Sequence, residues 1–514
     1  MSGYLRRLAT TGAAYTAANV ISKLIAVALL PLYTRYLTLA DYGAAEILFA
    51  AVVAASIVIR LGVIEALLRF YYKADEDPEA VVASSFAALF WFATIAALLA
   101  LPFAGPISEA LLDEPAPDLA RIAIGGLWVL TLNEFLLTLF RLEERARAFF
   151  LVTMVNVVAA IALTVVLVVG RGEGARGLLL GSYVSGAAVV VALIYVQRHR
   201  LSLWFDRALM RRLLRFGLPT MPAELSLYAL NFVDRIIIVR TVGLPEAGLY
   251  SLAVKFAQGV NVLVRGFQLA WPPLAYSIRD DDEARRAYAA VVTWFLVGCS
   301  FVVVGMWLFS RWIVRALAAP HFFDSYEAIG LLSTAVTLYA LYMVLLVILG
   351  RTGRTQFNLP ATAAALAVNI GLNLLLVPSL EIVGAGIALV ISYLVVLALM
   401  YRFTQRLFPV PYEWGRLARL LAVSVALVAI GELAMPTEGA LGLAGRIVVW
   451  LAYPVTLLAV GFFSDEERRW LRRLRHPVEL VAEIAAASRA APAAVEGAIP
   501  EAYEVASMDE DSTA

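Results

Sequence analysis

Lys23, Arg60, Arg235, Lys255 and Arg265 are cations set inside stretches that are otherwise apolar. A charge deep in hydrocarbon costs at least ~2.5 kcal/mol, so it normally lines a polar cavity or meets a partner. Helical spacing groups these cations with other polar residues. Tyr15, Asn19 and Lys23 recur every fourth residue. Glu224, Tyr228, Asn231 and Arg235 share one face, with Asp234 beside them, and Ser251, Lys255, Gln258 and Arg265 follow a similar spacing. Glu46 and Arg60 lie nearly four turns apart, hence close in angle. Polar stripes of this kind turn away from lipid. Arginine grips phosphate as a fork and lysine as a point charge. The five cations, with Asn19, Asn231 and Gln258 as hydrogen-bonding neighbours, are therefore candidates for holding an anionic, phosphate-bearing ligand. Asp234 and Glu224 are candidates for a coupling proton or sodium ion, since a carboxylate in a low-dielectric cavity holds its proton unless a cation sits beside it. The competing reading is internal pairing: the cations would meet Glu46, Glu65, Glu224 and Asp234 and only set helix packing. Arg35 and Arg240 lie near helix ends, where their side chains can snorkel to the interface.

Other chemistries find no support. The three histidines, His199, His321 and His476, are scattered, so no metal-ligand cluster is expected. Cys299 is the one cysteine, which excludes an intrachain disulfide. There is no P-loop, no Ser-His-Asp set and no Gly-rich nucleotide fingerprint. The run Asp280-Asp281-Asp282-Glu283, beside Arg285 and Arg286, reads as a solvated turn rather than a metal site. Neither an enzyme, a cofactor nor a nucleic-acid partner is expected.

The elements that must position these residues are membrane helices. The chain is 62% hydrophobic and 16% charged, with mean hydropathy +0.83. That composition marks an all-α polytopic membrane protein. Runs of about 20 apolar residues are read near 13–37, 44–67, 81–104, 119–140, 149–170, 177–197, 217–240, 246–273, 288–314, 327–350, 356–378, 382–402, 416–435 and 443–463, about fourteen helices in all. Cations gather in the loops after every second span, while the 105–118 loop has none. The positive-inside rule then places both termini in the cytoplasm.

The chain also repeats itself. Gly12 through Phe49 returns as Gly217 through Phe256, and one constant interval lays Arg35 on Arg240, Gly43 on Gly248 and Arg60 on Arg265. The expected organisation is a first lobe of six spans (1–197), a basic amphipathic linker on the cytoplasmic surface (198–216) and a second lobe of six (217–405). An added helix pair (406–464) and a cytoplasmic amphipathic helix with a disordered tail (465–514) follow. Six spans per lobe give both copies the same orientation, related by an axis along the membrane normal.

Two stretches carry a family resemblance. Ala14-Tyr-Thr-Ala-Ala-Asn19, Lys23, Pro31-Leu-Tyr-Thr-Arg-Tyr-Leu-Thr and Asp41-Tyr-Gly43 resemble the opening of the Wzx-type polysaccharide-biosynthesis flippases of the MOP (multidrug/oligosaccharidyl-lipid/polysaccharide) exporter superfamily. Asn369-Ile-Gly-Leu-Asn373 through Pro378, with Gly384-Ala-Gly386, is similar to that superfamily's signature around spans 11 and 12; Asn156 with Gly174, Gly177 and Gly181 is a degenerate first-lobe version. The resemblance implies two six-helix lobes in a V, alternating access, and a cavity whose cations hold a diphosphate. The cargo it implies is a polyprenyl-diphosphate-linked oligosaccharide, such as an O-antigen, capsule or exopolysaccharide repeat unit. It would move from the cytoplasmic to the outer leaflet of a bacterial inner membrane, with polymerase or export proteins as possible partners. The extra helix pair is closer to lipid II flippases, whose distinctive N-terminal pattern is missing here. A multidrug/cation antiporter of the same superfamily is the alternative, and it would predict a net acidic, aromatic-lined cavity.

Overall fold

The computed structural model describes residues 25, 27–73, 76–464 and 467. Asn19, Lys23 and the expected C-terminal amphipathic helix and tail lie outside the described residues. The chain forms two compact units, residues 11–453 and residues 1–10 with 454–514. The helices below lie in the first unit, except that the last continues into residues 454–459.

The described residues of that unit are helical, without strands. After α1 (Leu30–Tyr36), α2 (Leu39–Arg60) opens with a capping box. The Thr38 hydroxyl accepts from the Asp41 amide, and the Asp41 carboxylate accepts from the Thr38 amide. That exchange satisfies two amides that helix geometry leaves free. The helix stops at Leu61 and Gly62, both in the left-handed region. α3 (Val63–Phe70), α4 (Pro78–Ala100), α5 (Ala104–Leu112), α6 (Pro117–Leu142), α7 (Ala146–Thr164) and α8 (Gly174–Gln197) complete the first copy. The expected 105–118 loop is thus partly helical: α5 continues the α4 path through a 3-10 turn and ends at left-handed Asp113.

The linker holds α9 (Arg207–Gly217), capped by the Asp206 carboxylate. The second copy departs from the expected unbroken spans 7 and 8. Span 7 is two short helices, α10 (Met221–Ala229) and α11 (Val233–Thr241), interrupted at Leu230–Phe232. Span 8 is α12 (Leu244–Ala257) and α13 (Asn261–Ser277), joined by a 3-10 turn at Gln258–Val260. The polar residues crowded into these spans give the backbone reason to break, and broken helices at membrane depth persist where they are buried in protein or line a cavity. α14 (Asp281–Leu317) begins within the acidic run: Asp280 caps it, accepting from the Glu283 amide at 2.7 Å. Acids there complement the helix dipole, so the expected turn is a helix start. α15 (Tyr326–Arg351) precedes α16 (Asn358–Leu407), which bends at Glu381 (φ +48°) just after Pro378. α17 (Trp414–Ala434) and α18 (Gly439–Ala459) follow.

Ten helices among the described residues are long and apolar enough to cross a membrane. The expected fourteen segments and these ten differ in three places. Most of span 1 is outside the described residues, spans 7 and 8 are broken, and α16 runs through two expected spans as one bent helix.

The two copies meet where the repeat is most regular. α2 packs along α12, and Gly43 lies against its counterpart Gly248. A Cβ on Gly43 would fall 2.9 Å from the Gly248 nitrogen and nearer still to the Leu244 carbonyl oxygen. Small residues allow this close crossing inside a membrane. Around it, Tyr42, Ala45 and Ile47 share one core with Tyr250, Leu252 and Ala253. Gly62 and Gly217 make a second backbone crossing. Gly43→Val is expected to destabilise the protein by ~1–3 kcal/mol, the usual range for overpacking. Thermal unfolding of the purified protein checks this, and Gly43→Ala should fall between wild type and the valine variant.

Candidate functional site

The cations that the sequence places together are partnered unequally. Arg60, at the end of α2, is buried. It bridges Glu134 of α6 (2.8 Å) and Glu224 of α10 (3.1 Å), and its Nε donates to the Ser56 carbonyl oxygen. Lys255, on α12, pairs with Glu46 of α2 at 2.5 Å and lies 5.0 Å from the centre of the Tyr42 ring. Both pairs cross from the first copy to the second, with opposite polarity. Glu46 stands two turns into α2 and Arg60 at its far end, so the two links grip different lengths of that helix. For Arg60 and Lys255 the competing reading, internal pairing, describes the contacts present.

Arg235 and Arg265 differ from these. Neither forms an ion pair among the described residues, and the Arg235 Nε is buried without a hydrogen-bond partner. Arg235 sits on α11 just after the break, while Arg265 is exposed on α13 just after the 3-10 turn. The sequence correspondence between Arg60 and Arg265 therefore does not extend to their surroundings. Gln258 is exposed within the turn itself, and Asn231, within the break, donates to the Tyr393 hydroxyl at 3.0 Å. Two guanidinium groups and two amides thus cluster in sequence around the two helix interruptions. Such interruptions free backbone groups and make space for a ligand.

Asp234 is 1% exposed. Its Oδ2 accepts from the Tyr250 hydroxyl, and its Oδ1 has no hydrogen-bond partner. It stands in the first turn of α11, where the helix dipole favours negative charge. Glu224 is engaged by Arg60. The two acidic candidates are accordingly unlike: one has a free oxygen and the other is held by a guanidinium. Arg240 reaches the carbonyl oxygens of Glu109 and Ala110 and lies 3.6 Å from Asp113. Among the described residues no group of His, Cys, Asp and Glu could hold a metal ion.

Sequence reasoning did not single out Tyr250, Tyr393 or Arg446. A tyrosine in an apolar helix reads as core, so no spacing marks the first two. Arg446 did leave a signal, as a lone charge within the expected last span. It is fully buried, bonded to Glu432 and to the Leu308 carbonyl oxygen, and Glu432 also meets Arg311 at 3.2 Å. This triad ties the added helices α17 and α18 to α14.

Solved structures with this fold are membrane transporters. Lipid II flippase MurJ in an inward closed conformation matches with TM-score 0.70 and 12% identity, over 87% of this chain and 97% of that one. A multidrug resistance MATE family transporter of the MOP superfamily, inward-facing, matches with TM-score 0.62 and 16% identity, over 75% and 95%. An outward-facing structure of such a transporter gives 0.56 and 17%, over 78% and 93%. No curated protein matches the chain. Several apolar helices and this shared fold make it a multi-pass membrane protein with the fold of those transporters. The sequence model of the family described as "Polysaccharide biosynthesis protein" matches residues 8–275, more than half of the chain, and the protein belongs to that family.

Proposed function

We propose that the protein carries polyprenyl-diphosphate-linked oligosaccharide from the cytoplasmic to the outer leaflet of the bacterial inner membrane, with its termini in the cytoplasm. The observation that carries this reading is the pair of arginines, Arg235 and Arg265, which form no ion pair among the described residues and flank the two helix breaks. An anionic diphosphate supplies the missing counter-charge and matches the bidentate geometry of guanidinium. Arg60 and Lys255 join it once their lobe-bridging pairs open, and Asn19, Lys23, Asn231 and Gln258 are the remaining proposed contacts. Alternating access follows from the two links. Opening at the Glu46–Lys255 link exposes the site to one side, and opening at Arg60–Glu224 exposes it to the other. The family supports a role in building polysaccharide.

A cation antiporter is the second reading, favoured by the buried Asp234 with its free oxygen. Unpaired arginines count against it, because a cationic substrate gains nothing from them. The deciding experiment is liposome translocation of a fluorescent polyprenyl-diphosphate oligosaccharide, with organic-cation efflux measured in parallel. Lipid movement that requires the diphosphate supports the flippase; efflux without lipid movement replaces it with the antiporter.

Asp234 is the proposed coupling site for H+ or Na+. Asp234→Asn is expected to slow ion-driven transport by at least about tenfold, or ~1.4 kcal/mol, and to flatten its dependence on pH and sodium. Transport rates measured across both gradients check this, and an unchanged ion dependence removes Asp234 from the role.

A further inference from the structure

The linker helix α9 is amphipathic, and its apolar side is already used. Leu209, Met210 and Leu213 are buried in a core with Val63 and Leu67 of α3 and Val82 of α4. Arg69 lies 4.6 Å from the Phe216 ring centre, and Arg212 pairs with Glu76 at 2.9 Å. The helix is therefore fixed on its neighbours, and its outward face is set by them.

That face carries Arg207, Arg211 and Arg215, each exposed and without an ion pair among the described residues. They recur every fourth residue, so they stand in one row. Like charges in such a row repel and weaken a helix. A groove of about 920 Å³ runs along them, bordered by Phe205 and Leu218.

The segment leading into the helix fixes its depth. The Trp91 indole N–H donates to the Leu203 carbonyl oxygen (2.9 Å), and the Asp206 amide donates to the Ser84 hydroxyl (3.3 Å). At 1.5 Å per residue, Ser84 lies about 9 Å and Trp91 about 20 Å from the start of α4. Leu203 and Trp204 thus run alongside a spanning helix whose Trp91, Ile95, Leu98 and Leu99 are themselves exposed, and Trp204 is 87% exposed. Exposed apolar and aromatic groups at that depth belong in lipid, and a row of arginines beside them belongs among head groups.

We propose that this groove is a docking site for anionic phospholipid head groups of the leaflet that borders α9. The row Arg207–Arg211–Arg215 holds the phosphates, and Leu203, Trp204, Phe205 and Leu218 lie against the upper acyl chains. Which leaflet this is rests on the orientation given under Proposed function; the binding chemistry does not. The surface gives the protein a lipid preference separate from its cargo. It also draws anionic lipid to the segment that joins the two lobes.

Native mass spectrometry of the full chain, purified with equal phosphatidylglycerol and phosphatidylcholine, tests this without any transport assay. Wild type is expected to retain phosphatidylglycerol about tenfold over phosphatidylcholine, with the preference falling as salt rises. The combined variant Arg207→Gln, Arg211→Gln, Arg215→Gln should bring the ratio near one. Should that variant fail to fold, Trp204→Ala is expected to lower retention of both lipids while keeping the ratio. Equal retention of the two lipids by wild type overturns the proposal, as does an unchanged ratio in the folded triple variant. Displacement of the lipid by millimolar inorganic phosphate overturns the lipid assignment in favour of a free anion. A wild-type protein that transports yet shows no lipid preference sinks only this inference, and one that keeps the preference yet does not transport sinks only the proposed function.

Discussion

Arg60→Ala is expected to lower transport roughly 30- to 150-fold. Removing one partner of a buried ion pair costs ~3–5 kcal/mol because the other charge is stranded. Here the stranded groups are Glu134 and Glu224, whose side chains are each 41% exposed, so water recovers part of that cost. Where the link is closed in one access state and open in the other, a remaining ~2–3 kcal/mol shifts the balance between those states by the stated range, at about 1.4 kcal/mol per factor of ten. Membrane insertion should be intact, since the variant removes a charge from the span. Two controls separate the roles of this arginine. Glu224→Gln breaks the link between lobes but leaves the guanidinium in place. If Arg60 works by linking the lobes, Glu224→Gln reproduces the loss. If it works by gripping the diphosphate, Glu224→Gln leaves transport largely intact while Arg60→Ala does not. Arg60→Lys should keep partial function in either case, since the charge survives but the fork does not. Full activity in Arg60→Ala removes this residue from both roles. Arg265→Ala, at a position with no ion pair among the described residues, is expected to act on transport with no effect on stability.

Glu432→Ala is expected to destabilise the protein by ~3–5 kcal/mol. Arg446 is fully buried, and its Nε and Nη2 already lack partners. Glu432 is the carboxylate that compensates it, while also holding Arg311. Without it, a guanidinium faces the Leu308 carbonyl oxygen and the Trp312 ring with no counter-charge. About 3–5 °C of melting temperature should be lost, at ~2 cal/mol/K of unfolding entropy per residue, read by thermal unfolding in detergent. The same physics predicts an asymmetry. Arg446→Met removes the buried charge itself and leaves Glu432 paired with Arg311, so it should cost little. Adding Arg446→Met to Glu432→Ala should restore most of the loss. A Glu432→Ala protein that melts like wild type would show that the triad does not hold α17 and α18 in place.

Much of this protein was legible in the order of its residues. Hydropathy determined that the chain is a bundle of membrane helices, because a backbone in lipid must satisfy its own hydrogen bonds. The repeat, with the tyrosine and glycine motifs of its opening, identified the family. The regular interval between Gly43 and Gly248 marked a point at which the copies come together. Charges inside apolar runs are costly, so their presence alone flagged Arg60, Lys255, Arg235, Arg265 and Asp234 as residues with partners or ligands to meet.

Which of them meet a partner within the chain, only the tertiary structure decided. A stripe on one helix fixes the angle of a side chain but not what faces it. Glu46 and Lys255, or Arg60 and Glu224, come together only when two distant segments pack. The same limit explains why Arg60 and Arg265, equivalent in sequence, have unlike surroundings. The breaks in spans 7 and 8 were hidden for a related reason: a hydropathy window averages over the few residues where a backbone bends. Arg446 and Glu432 lie on successive helices of the added pair, and their triad with Arg311 exists because α14 is packed against that pair. Residue types set what each site can do, and the packing of distant helices sets which of the described charges pair with one another and which do not.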